Sequence, residues 1–253
     1  MAKFIIEGQQ KLNGEIRVSG MKNAATPILA ATILTDEPCV LSNVPRIVDV
    51  FKMLELLEGL GATVSWSAEH EVTVQCAQVD PARILAPTVR KLRSSVLLIG
   101  PLLARFPSFE IPHPGGCIIG NRPLDTHLDA MRSLGATVEE GRDTILLSRK
   151  NGLHGANIVL SEFSVTATEN VLMAAVLSRG TTTVTIAAAE PHVQDLARFL
   201  VGMGAHIEGI GTHTLTIRGV NQLQGTQHEI IPDQIEIGTW AVAAAATSNS
   251  ARR

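Results

Sequence analysis

The sequence predicts an α/β fold in which three repeated units share one core, and three observations carry that expectation. Leu60-Gly61-Ala62-Thr63-Val64 returns as Leu134-Gly135-Ala136-Thr137-Val138 and as Met203-Gly204-Ala205-His206-Ile207, 74 residues from Gly61 to Gly135 and 69 from Gly135 to Gly204. Each copy ends a stretch with helical apolar spacing and opens two short alternating stretches, which is the pattern of a helix followed by a hairpin. With 253 residues, 45% of them apolar, the chain can bury a substantial core. A period of about 70 residues exceeds that of the common solenoids, so α/β units around one core fit better than a stacked array.

Taken in order, Lys3 to Glu7 and Glu15 to Ser19 have the alternation of short strands around a glycine-containing turn. Gly20-Met21-Lys22-Asn23 opens an alanine-rich helix through about Leu34, with Pro27 early enough to be tolerated. A strand Cys39 to Ser42 follows. Ile47, Val50, Phe51, Leu54 and Leu57 then recur at helical spacing up to a glycine stop at Gly61, and strands Thr63 to Trp66 and Glu71 to Cys76 complete the unit. The second copy reads as helix Arg90 to Phe106 and strand Phe109 to Pro112, the third as helix Thr168 to Ser178 and strand Thr182 to Ala187. Leu12-Asn13-Gly14, Leu153-His154-Gly155 and Leu223-Gln224-Gly225 each precede a strand and an alanine-rich helix, so the last is expected to begin a new unit. Its helix, Ile237 to Ala246, runs into a polar end, and the chain looks cut off there.

Composition narrows the function. A net charge of -3 without an arginine-rich run argues against nucleic acid, and 3% aromatic content with no Tyr leaves few surfaces for base stacking. The start turns polar too soon for a signal peptide, and no window approaches the roughly 18 apolar residues of a membrane span, so a cytoplasmic protein is expected. Cys39, Cys76 and Cys117 are odd in number and lack CxxC spacing, which suggests neither a disulfide framework nor zinc.

The stretch Pro114 to Asp125, Pro-Gly-Gly-Cys-Ile-Ile-Gly-Asn-Arg-Pro-Leu-Asp, holds a thiol among glycines with an arginine five residues on. Ordering such a loop costs on the order of 1–2 kcal/mol per residue, which favours a ligand-directed role for Cys117, although an isolated Cys is more often a small buried hydrophobe. Lys22-Asn23 stands where a loop enters a helix, a place that suits a phosphate or carboxylate as well as it suits a solvated lysine. Arg90, Lys91, Arg93 and Arg122 could grip phosphate or form a wet face. His113 and Cys117 are poor metal partners with no third ligand near, and neither His113 nor His127 can be placed as a base from sequence. Glu190 and Asp233, beside prolines, read as caps or as site carboxylates. No GxGxxG dinucleotide fingerprint follows a strand.

These motifs together resemble the bacterial UDP-N-acetylglucosamine 1-carboxyvinyltransferases, which are enolpyruvyl transferases. Ser19-Gly20-Met21-Lys22-Asn23-Ala24 is similar to their SGxKNA element and Pro114 to Asp125 to their PGGCxIGxRPxD loop. Leu92-Arg93-Ser94-Ser95 is similar to their MRAS-type helix start and Ile231 to Thr239 to their PDRIETGT junction. The similarity runs in order from Lys3 to about Thr247. It implies an inside-out α/β barrel built of βαβαββ units, with residues 22–229 as one complete three-repeat domain and residues 1–21 and 230–253 as parts of a truncated second domain. It also implies a role for each matching residue. Cys117 would protonate the methylene carbon of phosphoenolpyruvate or bond to it, and would accept the epoxide fosfomycin. Lys22, Asn23 and Arg122 would hold phosphoenolpyruvate. Arg93, Arg122, Pro123, Leu124 and Asp125 would line the UDP-N-acetylglucosamine site, with Ser164 and Val165 at its diphosphate. Met21, Thr126, Thr166 and Glu162 depart from the usual pattern, and Glu162, an acid near a diphosphate, is not taken as a site residue.

The reaction the resemblance implies joins the sugar 3'-hydroxyl to C2 of phosphoenolpyruvate and releases phosphate, the first committed step of peptidoglycan synthesis. It needs two small-molecule substrates and no metal or other cofactor, nucleic acid or membrane. The alternative is a fragment that binds the UDP-sugar without turnover, because part of the second domain would be absent.

Overall fold

The structure, a computed structural model, describes residues 3–5, 7–8, 14–115 and 123–247. Unit one runs through α1 (Lys22–Ala31), a 3-10 turn at Thr32–Leu34, β1 (Cys39–Ser42), α2 (Val48–Leu60) and the hairpin of β2 (Thr63–Ala68) and β3 (Glu71–Gln75). Unit two has a short α3 (Ala86–Val89), a 3-10 stretch Arg93–Leu98 continuing into α4 (Ile99–Arg105), then β4 (Ser108–Pro112), α5 (Asp125–Ser133), β5 (Thr137–Glu140) and β6 (Thr144–Ser148). Unit three shows the whole βαβαββ order: β7 (Asn157–Val159), α6 (Val165–Ala175), β8 (Thr181–Thr185), α7 (Pro191–Gly202), β9 (His206–Glu208) and β10 (Thr214–Arg218). Two elements follow, β11 (Gln227–Glu229) and α8 (Gln234–Thr247).

The three units pair their strands in one order: β1-β3-β2, β4-β6-β5 and β8-β10-β9, all antiparallel. In unit three, β7 adds in parallel beside β8. In unit one the equivalent place beside β1 is taken by β11, with Val40 opposite Gln227 and Ser42 opposite Glu229. The segment after Leu223-Gln224-Gly225, expected to open a new unit, therefore completes the sheet of the first.

The glycine echoes have a shared backbone cause. Gly61, Gly135 and Gly204 have φ of 110°, 95° and 103°, the left-handed conformation that ends a helix without a Cβ penalty. Behind each, the alanine N–H reaches back five residues, Ala62 to Leu57, Ala136 to Met131 and Ala205 to Leu200. This is the Schellman closure that satisfies the last carbonyls of α2, α5 and α7.

The core lies where one helix from each unit meets the others: α1, the continuous 93–105 stretch and α6. Eight of the ten residues of α1 and nine of the eleven of α6 are buried, and both α1 and α6 pack against the 93–105 stretch. Backbones come close there, since a Cβ on Gly100 would lie 2.4 Å from the Asn170 carbonyl oxygen. Sheets lie outside and alternate buried with exposed positions, as in Thr214–Arg218, so each turns one face to the helices.

Two expectations need correction. Among the described residues of 3–7 and 15–19 there is no strand; Phe4, Ile5 and Ile16 are exposed, and the nearest ladder is a single bridge from Gly20 to Pro232. A lone two-strand ribbon is marginal in water, and the described residues of these segments pair with no strand of the three sheets. The helix expected over Arg90 to Phe106 is broken, with a turn before Arg93 and a 3-10 stretch to Leu98 before the α-helix begins.

Candidate functional site

The threefold arrangement brings the N-terminal ends of all three inner helices to one cavity of about 790 Å³. Lys22 and Asn23 enter it from the first turn of α1, Arg93 and Ser94 from the 3-10 start of unit two, and Ser164, Val165 and Thr166 from the start of α6. Unpaired N–H groups and aligned peptide dipoles make such ends attractive to anions. Met21, the N-cap of α1, gives no side-chain acceptor to the first turn, whereas Ser164 Oγ accepts the Ala167 N–H at 3.3 Å.

Lys22, Lys91 and Arg93 bring three cations to the lining. Lys22 Nζ lies 3.0 Å from Asp49 Oδ2, but both are about half exposed, so the pair is worth at most about 1 kcal/mol and an anionic ligand can compete for the lysine. Arg93 Nη1 donates to the Pro114 carbonyl at 3.5 Å. Gly115 is a glycine for a steric reason, since its Cβ would stand 1.9 Å from the Arg90 carbonyl oxygen. The described ends of the cysteine loop thus flank the cavity, Pro114 through Arg93 and Pro123 by lining it directly. Cys117 and Arg122 lie outside the described residues.

Among the expected site residues, Lys22, Asn23, Arg93, Pro123, Ser164 and Val165 share this lining. Leu124 and Asp125 do not; Asp125 opens α5 and is exposed, while Leu124 packs half-buried against the core. Asp233 is a cap, its Oδ1 accepting the N–H groups of Ile235 and Glu236. His113 turns Nε2 to the Gly141 carbonyl at 3.0 Å, away from the lining. Among the described residues, no group of three His, Cys, Asp or Glu side chains could hold a metal ion, and no helix is long and apolar enough to cross a membrane.

Sequence reasoning missed the polar floor. Five buried side-chain polar atoms lack a well-formed hydrogen bond among the described residues, and four of them line this cavity: Ser94 Oγ, Glu169 Oε1, His192 Nδ1 and His127 Nδ1, the last with the Leu124 backbone near enough to oppose the fall in its pKa. Such groups cost about 1–3 kcal/mol each when unpaired, so their collection at one place points to a ligand. His127, bonded through Nε2 to Thr166 Oγ1 at 2.8 Å, has its pKa pushed down to about 4 by burial and then by the charge of Arg93. Burial also lowers His192, against the charges of Glu190 and Asp233, and raises Glu169 well above the carboxylate range, with Glu190 adding to the rise. No sequence signal marked Glu169 or His192, because a polar residue on an amphipathic helix reads as a wet face until the neighbours are known.

Residues 6–251 match the EPSP synthase (3-phosphoshikimate 1-carboxyvinyltransferase) family. The chain belongs to that family. A UDP-N-acetylglucosamine 1-carboxyvinyltransferase of Coxiella burnetii is 48% identical over 252 residues, covering 100% of this chain and 58% of the relative. The UDP-N-acetylglucosamine 1-carboxyvinyltransferase 1 of Carboxydothermus hydrogenoformans is 50% identical over 249 residues, covering 98% and 59%. The chain thus spans somewhat more than half the length of the curated relatives it matches. The crystal structure of the enolpyruvyl transferase NikO from Streptomyces tendae superposes with a TM-score of 0.79 at 25% identity, over 94% of this chain and 56% of that one. An EPSP synthase from Acinetobacter baumannii gives 0.74 at 21%, over 95% and 55%, and shares the fold.

Proposed function

We propose that the protein transfers the enolpyruvyl group of phosphoenolpyruvate to the 3'-hydroxyl of UDP-N-acetylglucosamine and releases phosphate, acting in the cytoplasm at the entry to peptidoglycan synthesis. The observation that carries the reading is the cavity, where three helix starts, three cations and unpartnered polar atoms meet at residues of the SGxKNA and MRAS-type motifs. Relatives at 48–50% identity bearing that activity's name support it. Lys22, Asn23 and Arg122 hold phosphoenolpyruvate, and Arg93, Arg122 and residues 123–125 hold the UDP-sugar with its diphosphate at Ser164 and Val165. In the addition step the sugar oxygen bonds to C2, the hydroxyl proton leaves to a base, and Cys117 gives a proton to C3. In the elimination step C3 loses a proton and the C2–O bond to phosphate breaks. Cations at the phosphate stabilise the charge that develops on it.

Residues 22–229 form one domain in this reading, and residues 1–21 and 230–253 belong to a second. Contacts between the outer segments support it: Met21 N–H donates to the Ile231 carbonyl at 2.8 Å, Asp233 N–H to the Ser19 carbonyl at 2.9 Å, and Ser19 Oγ to Glu236 at 2.5 Å.

A second reading, binding of the UDP-sugar without turnover, is favoured by the carboxylates of the described lining. Asp49 is engaged by Lys22 in the unliganded protein, and burial raises the Glu169 carboxyl well above the carboxylate range, which suits it poorly to take the hydroxyl proton. Calorimetry with UDP-N-acetylglucosamine and a phosphate-release assay with both substrates, run on one sample, separate the two. Heat with turnover supports transfer, heat without turnover supports the second reading, and neither overturns both.

A further inference from the structure

Glu169 lies on the second turn of α6, beyond the N-cap Ser164, with 1% of its surface exposed and Oε1 unpartnered, yet it lines the cavity. Its equally buried neighbours are satisfied inside the protein. Thr168 Oγ1 donates to the Ser164 carbonyl at 2.8 Å and accepts the Ala188 N–H at 3.0 Å. Asn170 bonds to Gly100 N–H, the Val96 carbonyl and the Thr166 carbonyl. Of the three, only the cavity-lining Glu169 is left without a partner, and a buried polar group in that state is stabilised by something that arrives.

The form in which it waits follows from its surroundings. α7 and the residue before it present His192 and Glu190, α5 presents His127, and the 93–98 stretch presents Arg93, with Lys22, Lys91, Asp49 and Glu162 further round the lining. α4 offers only Arg105, paired with Asp36 away from the cavity, and β10 only the exposed Arg218. Burial first and the charge of Glu190 second raise the carboxyl's pKa well above the carboxylate range, which favours the protonated form. A protonated carboxyl has an O–H to donate, whereas an ionised one only accepts and would repel an anion drawn in by the three cations.

We propose that Glu169 binds the anionic ligand of this cavity as an un-ionised acid, donating its carboxyl O–H to a phosphate or carboxylate oxygen of that ligand, so that the cavity loses affinity for anions when the group loses its proton. This rests on reading the cavity as the substrate site and adds a residue to it.

Calorimetry of the wild-type protein, Glu169→Gln and Glu169→Ala, with UDP-N-acetylglucosamine and separately with phosphoenolpyruvate from pH 6 to 9, tests it. Thermal melts of each variant and the carbon-13 carboxyl resonance of Glu169 in the unliganded wild type accompany the binding data. Glutamine keeps a donor at similar volume, so it is expected to bind within about threefold of wild type and to lack the alkaline weakening that wild type shows. Alanine is expected to bind about tenfold more weakly, the loss of one hydrogen bond. A glutamine variant as weak as alanine, three proteins with equal affinity, or a carboxyl already ionised at pH 7 overturns the proposal while leaving the substrate reading intact. A wild type that binds neither compound overturns both. If alanine does not fold, the glutamine comparison and the resonance still decide.

Discussion

α6 and α8 reverse the usual relation between residue type and place. α6 carries Thr168, Glu169 and Asn170 at 0–1% exposure, while α8 leaves Ile235, Ile237 and Val242 47–69% exposed and buries none of its residues. Polarity on α6 is tolerated because Thr168 and Asn170 find partners and Glu169 lines the cavity. Apolarity on α8 is unrewarded because no described element covers it. What a side chain touches, and not its class, sets its contribution.

Substitutions can break this contrast. The largest effect of a single substitution is expected from Asn170→Ala, which orphans the Gly100 N–H and removes the amide donor to the Val96 and Thr166 carbonyls in a close helix contact, and should cost about 2–3 kcal/mol in urea unfolding. Equal stability of that variant would show that the buried network is ornamental. Next is the response to pH. The unfolded chain takes up a proton at His127 near pH 6.5 while the folded protein resists until about 4, so stability falls as pH drops through that window, by roughly 3 kcal/mol in all. Glu169 acts in the opposite direction. Above the ordinary carboxylate range the unfolded chain releases a proton that the fold retains, so stability falls as pH rises there. His127→Gln should flatten the acid side and Glu169→Gln the other, and chemical denaturation from pH 4 to 8 reads both; unchanged slopes would mean that the groups titrate normally in the fold.

Val242→Ala on α8 should change stability by no more than about 0.5 kcal/mol, and a loss above 2 would reveal a partner for that face. The smallest effect on stability is expected from labelling. Burial pushes the Cys76 thiol to about 11 and raises Cys39, so fosfomycin should modify Cys117 and neither of the others. Mass spectrometry placing the label on Cys39 or Cys76 would overturn the assignment of Cys117.

Much of the fold was legible because its signals are local. A glycine that must sit at positive φ recurs three times, and strand Cys39–Ser42 begins and ends where alternation and turn residues say it does. Lys22 and Arg93 were legible through motifs at helix starts, and Ser164 only through the family resemblance, since the helix it caps was expected to begin at Thr168 and begins at Val165. What failed depended on partners distant in sequence. The alternation of 3–7 and 15–19 says nothing about whether a sheet edge is available. Glu169, His127 and His192 become a polar floor only when α5, α6 and α7 pack together, and no spacing along the chain encodes that meeting.

The parallel pairing of β11 with β1 bears on how the protein is made. Ser42 leaves the ribosome about 185 residues before Gln227, its sheet's last strand, can arrive. At about 5–20 residues per second, β1 keeps an open edge for roughly 10–40 s of synthesis. During that time the edge is a template for any extended segment nearby, including another nascent copy. The first sheet to be translated is therefore the last to be finished, and soluble yield should respond more to chaperone supply and to translation rate than the stability of the finished fold would suggest.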